Sequence, residues 1–193
     1  MLVLEVFAGS SNLTIEIRKA NLRGVAIDKT DGRAKGPITV LDLTVEEDVS
    51  FLSEFIRQEA DNICLIHFAP PCGTCSAARK RRLAPAVLDR LASDGITPPQ
   101  ILRSEAFPMG LPNLRGLDAM KVHLANQRYS ATNRLVKLAL SLNIRVSIEN
   151  PTNSLFKDGP NGRLIRKLPW LHEQFSQLHD GRRKRQANSL VVQ

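Results

Sequence analysis

The sequence predicts an α/β domain built on a mostly parallel sheet with helices on both faces. Short apolar, β-branched runs alternate with helical patterns at βαβ spacing. The first run ends in a small-residue turn at Phe7-Ala8-Gly9, and the fourth stops at Pro70-Pro71 and hands over to a cysteine turn. Parallel sheets of this kind bind ligands outside the carboxyl ends of their strands, so both turns fall where chemistry is done.

A chain of 193 residues suits one domain with a real core, read here as residues 1–193. Hydrophobic residues at 42% and charged residues at 24% are globular proportions, and no run of about 18 apolar residues is present to span a membrane. Three cysteines, an odd number, do not form a disulfide framework and fit a reducing compartment. The opening MLVLEVFAGS lacks a basic region before its apolar run, which argues against a signal peptide. An intracellular protein is expected, with nucleus and cytoplasm not distinguished.

Net charge of +8 suits a polyanionic partner. The cations cluster: Arg79-Lys80-Arg81-Arg82 follows the cysteine turn, and Arg182-Arg183-Lys184-Arg185 lies near the other end. Clustered cations displace counterions from phosphate backbones, so DNA is the expected partner, with RNA left open. A solvated basic surface is the alternative.

In chain order, residues 2–7 read as a strand and 8–12 as a turn rich in helix N-cap residues. Leu13, Ile17 and Ala20 keep helical spacing until residues 21–24, and a second strand at 25–27 ends in Asp28. A glycine- and charge-rich loop over 29–37 precedes a third strand at 38–43. Thr44-Val45-Glu46-Glu47 fits a capping box for the next helix, whose apolar face is Val49, Phe51, Leu52, Phe55 and Ile56. The fourth strand leads into the cysteine turn within NICLIHFAPPCGTCSAARKRR, residues 62–82. Prolines and glycines break all periodicity over about 83–116, which reads as a long irregular insertion with one short helix at 85–92. A long helix fits 117–142, with Ser130 a place where it could break, and feeds a fifth strand at 145–148 ended by Glu149-Asn150-Pro151. A further helix is read over 161–171, and a closing strand pair over 174–179 and 189–192 surrounds the second basic cluster.

Several strand ends carry chemistry. The Phe7-Ala8-Gly9 turn lets backbone amides approach a ligand, and Asp28, at the end of the next strand, can take a ribose hydroxyl pair. Asp42 projects over the same crevice and can accept a hydrogen bond from an adenine amino group; a tight turn and a helix N-terminal acid are the plainer readings. Cys72 and Cys75, with Cys64 and His67, invite a metal reading. Positions 64 and 67 point to opposite faces of a strand, so no metal is expected. A nucleophilic thiol at Cys72 remains, with nearby cations and turn amides favouring its thiolate and Ser76 hydrogen-bonding within the turn. Glu149, on a strand expected beside the fourth, can hydrogen-bond a ring nitrogen.

Assembled, these residues resemble the cytosine-5 DNA methyltransferases. Leu4-Glu5-Val6-Phe7-Ala8-Gly9 is similar to the family's first cofactor motif, Ala69-Pro70-Pro71-Cys72 with Ser76 to its proline-cysteine motif, and Ile148-Glu149-Asn150 to its glutamate-asparagine motif. PPCGTCS, SIENPTNSLF and LRSEAFPMGLP more narrowly resemble a divergent group of methyltransferase-like proteins, some associated with mobile elements. Ser10-Ser11 stand where the family has further glycines, and Gly73 where it has glutamine. The resemblance implies a Rossmann-like, S-adenosylmethionine-dependent methyltransferase fold. It implies that Cys72 attacks C6 of a cytosine while Glu149 holds N3, with Arg183 and Ser76 in support. The cofactor would be lined by Phe7, Ala8, Gly9, Ser11, Asp28, Asp42, Leu43 and Pro70. Arg79, Lys80, Arg81, Arg82 and Arg185 would contact nucleic acid. The alternative is a catalytically lapsed module of the same fold that binds nucleic acid through its basic clusters.

Overall fold

The computed structural model describes residues 1–76, 79 and 82–150, together with the backbones of residue 151 and of two further strands. The elements are β1 (Leu2–Val6), α1 (Asn12–Lys19), β2 (Arg23–Asp28), β3 (Ile38–Val40), α2 (Glu46–Gln58), β4 (Ile63–Phe68), α3 (Pro85–Ser93), α4 (Gly116–Ser141), β5 (Arg145–Pro151), β6 (Leu171–Ser176) and β7 (Gln186–Val192). The expected α/β class holds: β1 to β5 are mutually parallel, with helices on every connection except that from β2 to β3, which is a loop. The sheet order is β3-β2-β1-β4-β5-β7-β6, with β7 antiparallel to both neighbours. The order reverses between β1 and β4, so the chain builds outward in both directions from that gap. Such a switch point leaves a crevice at the carboxyl ends of the strands.

Alternation along the strands separates two faces. Leu4, Val6, Ile27, Ile66, Phe68, Val146 and Ile148 line one face, each 3% exposed or less. Val49, Leu52 and Ile56 of α2 and Ala125, Leu135, Val136 and Ala139 of α4 pack on it as one core. A buried side chain of this size stabilises by about 1.5–3 kcal/mol, so this layer carries most of the fold. The opposite face is partly polar and carries Glu5, His67 and Ser147, which are in register across β1, β4 and β5. There Glu5 reaches α1: its carboxylate accepts the Thr14 N–H at 2.7 Å and satisfies one of the helix's first-turn donors. Helices therefore cover both faces.

Several boundaries differ from the sequence reading. β3 stops at Val40 rather than running to 43, because a turn closed by Val45 N–H on the Asp42 carbonyl takes over. The capping box does not form: Val45 is the N-cap of α2, without a side-chain bond. The Asp42 carboxylate competes for Thr44, accepting both its N–H (3.0 Å) and its hydroxyl (2.9 Å). α4 runs unbroken through Ser130, whose side chain is exposed to water. The insertion holds the expected short helix, α3, but is not loose: Arg103 within it is 2% exposed. The closing strand pair forms over 171–176 and 186–192; the helix expected over 161–171 lies outside the described residues, except that Leu171 begins β6.

Candidate active site

The crevice at the β1/β4 switch point has a volume of about 350 Å³ and is lined by Phe7, Gly9, Asp28, Lys29, Leu41, Asp42, Leu43, Ala69, Pro71 and Arg128. That volume lies within the range of small-molecule sites, about 300–1,000 Å³. Phe7, Gly9, Asp28, Asp42 and Leu43 are five of the eight residues expected to line a cofactor. The other three do not face the crevice. Ser11 is fully buried at the start of α1 with its hydroxyl unpartnered among the described residues, Ala8 is 8% exposed, and Pro70 is buried while its neighbours Ala69 and Pro71 form the wall.

The β1 turn is shaped by backbone conformation. Phe7, Gly9 and Ser11 all have positive φ, of 62°, 54° and 55°, so the chain leaves β1 through left-handed steps that only Gly9 adopts without strain. Its amides are largely spent inside the fold. Ala8 N–H bonds the Ile27 carbonyl at 3.0 Å, Gly9 N–H bonds Asp28 Oδ2 at 2.8 Å, and Ser11 N–H bonds the Ala8 carbonyl at 2.8 Å. Asp28 therefore does more than the sequence reading assigned it, because it fixes the turn as well as facing the crevice. A carboxylate oxygen has two acceptor sites, so Asp28 can take a ligand hydroxyl while holding Gly9 and Lys29 N–H. Asp42 commits Oδ1 to Thr44, and its Oδ2 has no hydrogen bond among the described residues.

Cys72 stands just beyond β4, half-buried, at the head of a turn in which its carbonyl accepts the N–H of Cys75 and of Ser76, each at 2.9 Å. Three contacts hold this loop. The Tyr129 hydroxyl of α4 donates to the Pro71 carbonyl at 2.7 Å. Burial, with the Cys75 thiol beside it, pushes the Tyr129 phenol up, so it remains a proton donor. Arg79 donates from Nε to the Gly73 carbonyl (2.6 Å) and from Nη1 to the Gln100 carbonyl (2.9 Å), tying the loop to the insertion. The guanidinium of Arg79, a residue expected to contact nucleic acid, is engaged with the carbonyl next to the candidate nucleophile. Arg103 is the third contact and was not singled out in the sequence. It donates to Thr74 Oγ1 (3.2 Å), the Pro108 carbonyl (2.6 Å) and Asn126 Oδ1 (2.7 Å), and its guanidinium lies 5.6 Å from the centre of the Tyr129 ring.

The other two cysteines have structural places. Cys64 directs its thiol to the Leu2 carbonyl at 3.4 Å, and Cys75 is 2% exposed in the core. Among the described residues no group of three or more His, Cys, Asp or Glu is placed to hold a metal, and no helix is long and apolar enough to cross a membrane.

Glu149 lies in β5, next to β4, one residue beyond the Phe68–Ile148 pair. Both candidate catalytic residues thus leave adjacent strands at the same sheet edge. The Glu149 side chain is 44% exposed and its Oε2 lies 4.0 Å from His67 Nε2. The other His67 ring nitrogen is 2.6 Å from Ser147 Oγ. Burial lowers the His67 pKa below its ordinary value, while the charges of Glu149 and Glu5 oppose that shift. Asn150 is 3% exposed and neither of its side-chain polar atoms has a partner among the described residues. Arg82 is exposed, whereas Lys80, Arg81, Arg183 and Arg185 lie outside the described residues.

No family model matches the chain, and no curated protein matches its sequence.

Proposed function

We propose that the chain is an S-adenosylmethionine-dependent cytosine C5 methyltransferase-like protein of Rossmann-like fold acting on DNA or RNA. One observation carries the reading: the crevice at the switch point is lined by Phe7, Gly9, Asp28, Asp42 and Leu43, and the chain leaves the adjoining strand directly into Cys72. The residues present fit such a cofactor. Asp28 and the open Oδ2 of Asp42 supply acceptors for hydroxyl and amino groups, while Leu41, Leu43 and Phe7 supply apolar wall.

When bound, the cofactor supplies an electrophilic methyl group. The chain's own residues make a poor carbon nucleophile into a good one. The Cys72 thiolate would form a bond from Sγ to C6 of an unstacked cytosine, and the C5–C6 electron pair would move towards the ring and N3, where Glu149 holds the base. C5 would then be enamine-like, and the methyl group would pass to it as the sulfonium S–CH3 bond breaks and the demethylated thioether leaves. Loss of the C5 proton to a base and expulsion of Cys72 restore the aromatic ring and the thiol. The Arg79 guanidinium is bonded to the carbonyl of Gly73, the residue after Cys72, and so fixes the turn that carries the thiol. Tyr129, Arg79 and Arg103 keep the loop in place, so the thiol is positioned before substrate arrives.

The test is transfer of labelled methyl from S-adenosylmethionine to DNA and to RNA by the wild type and by Cys72→Ser. Transfer by the wild type that drops at least about a thousandfold in the variant is expected, as for removal of an essential nucleophile. Equal transfer by both, or none by the wild type, overturns the enzymatic reading; salt-sensitive nucleic-acid binding without transfer would identify a lapsed module.

A further inference from the structure

We propose that Arg128 is the anion-recognition group of the crevice, and that the ligand it selects is a nucleoside carrying an amino-acid carboxylate rather than a phosphate chain. The proposal rests on the cofactor reading above and deepens it. Arg128 lines the crevice from α4 and is half-buried. Its guanidinium makes no hydrogen bond or ion pair among the described residues, whereas Arg18, Arg79, Arg103 and Arg134 all hold a carbonyl or a carboxylate. A partly desolvated guanidinium facing a cavity lacks the acceptors that its planar fork is built to engage, and a carboxylate supplies two.

Position gives the ligand its direction. Asp42 follows β3 and Asp28 ends β2, both on one side of β1, while the residue after Arg128, Tyr129, is bonded to Pro71 on the β4 side. The acids and the arginine therefore come from opposite sides of β1. A ligand lying across β1 would place its hydroxyl and amino donors on Asp28 and Asp42 and its anionic end at Arg128, beside the loop that carries Cys72. Charge distinguishes the ligand class. The lining carries two carboxylates, Asp28 and Asp42, against two cations, Lys29 and Arg128, and is neutral as a whole. A polyphosphate would bring several negative charges against those carboxylates without net compensation, whereas an amino-acid zwitterion adds none.

Calorimetry with S-adenosylhomocysteine, 5′-methylthioadenosine and ADP tests this in the wild type, Arg128→Gln and Arg128→Lys. Methylthioadenosine keeps the nucleoside and thioether but lacks the amino-acid carboxylate. The wild type should bind S-adenosylhomocysteine more tightly than either other ligand. Arg128→Gln should weaken it by about tenfold or more, the loss expected for a charge-assisted pair, with methylthioadenosine unchanged and Arg128→Lys intermediate. Equal effects on both thioethers, no effect on either, or preference for ADP overturns the assignment of Arg128 while leaving the crevice a nucleoside site. Failure of the wild type to bind any of the three overturns this assignment and the cofactor reading together.

Discussion

At the scale of single residues, the polar row on the α1 face shows how a sheet can hold the candidate site residue Glu149. Glu5, His67 and Ser147 are aligned across three strands, and Glu149 follows two positions beyond Ser147. Glu5 is spent on α1, which leaves His67 between two acids while desolvation keeps it neutral. Its lowered pKa has a definite sign for stability. The unfolded chain takes up the proton first, so the contribution of neutral His67 is intact above the ordinary value of 6.5 and is lost as pH falls from there through the folded value. Urea unfolding between pH 5 and 7 should show the wild type losing stability towards pH 5, and His67→Asn should lose less over the same interval. A parallel loss in both would remove His67 from that role. Little of this was legible beforehand, because a histidine on an apolar strand reads equally as a core residue or a ligand, and alternation assigns its face but not its partners.

Among the elements, the insertion between β4 and α4 is where sequence and structure diverge most. Without hydrophobic periodicity, residues 83–116 read as irregular, and apart from α3 they are. Yet Leu102 and Arg103 are 1% and 2% exposed, and Gly110 packs so closely that a Cβ there would lie 2.7 Å from Val122 Cγ1. Order comes from one arginine fork binding carbonyls and polar side chains, an arrangement with no period and hence no sequence signature. The prediction at this scale concerns that fork. Arg103→Met should cost about 3 kcal/mol, seen as a lower urea midpoint at unchanged slope, because a buried acceptor on Thr74 and part-buried acceptors on Pro108 and Asn126 lose a charged donor. Arg103→Lys should rescue little of it, since a single ammonium cannot match a planar fork directed at three acceptors. By contrast the strands were legible in number and order, with ends displaced by up to three residues. Runs such as Leu2–Val6 and Ile63–Phe68 are apolar and β-branched because they are central strands of a parallel sheet, and β3 was overextended only because Asp42 turns the chain locally.

For the whole molecule, a switch-point crevice and a cysteine loop share one sheet edge and are joined by α4. That helix supplies Arg128 to the crevice, Tyr129 to the loop and Asn126 to the Arg103 fork within a single turn. The acids of the crevice were readable from sequence because strand-terminal carboxylates stand out against apolar runs. Arg128 was not, because one arginine on a long mixed helix looks like any solvated cation until the fold places it in a cavity. The central claim is that this edge delivers a thiol to C6 of a cytosine, and covalent capture tests it most directly. With 5-fluorocytosine in an oligonucleotide, C5 has no proton to lose once methylated, so Cys72 cannot be expelled and the adduct persists. Mass spectrometry after incubation with S-adenosylmethionine should find the oligonucleotide bound to the peptide containing Cys72 in the wild type and absent in Cys72→Ser. No adduct in the wild type, or an adduct on another residue, would contradict the account.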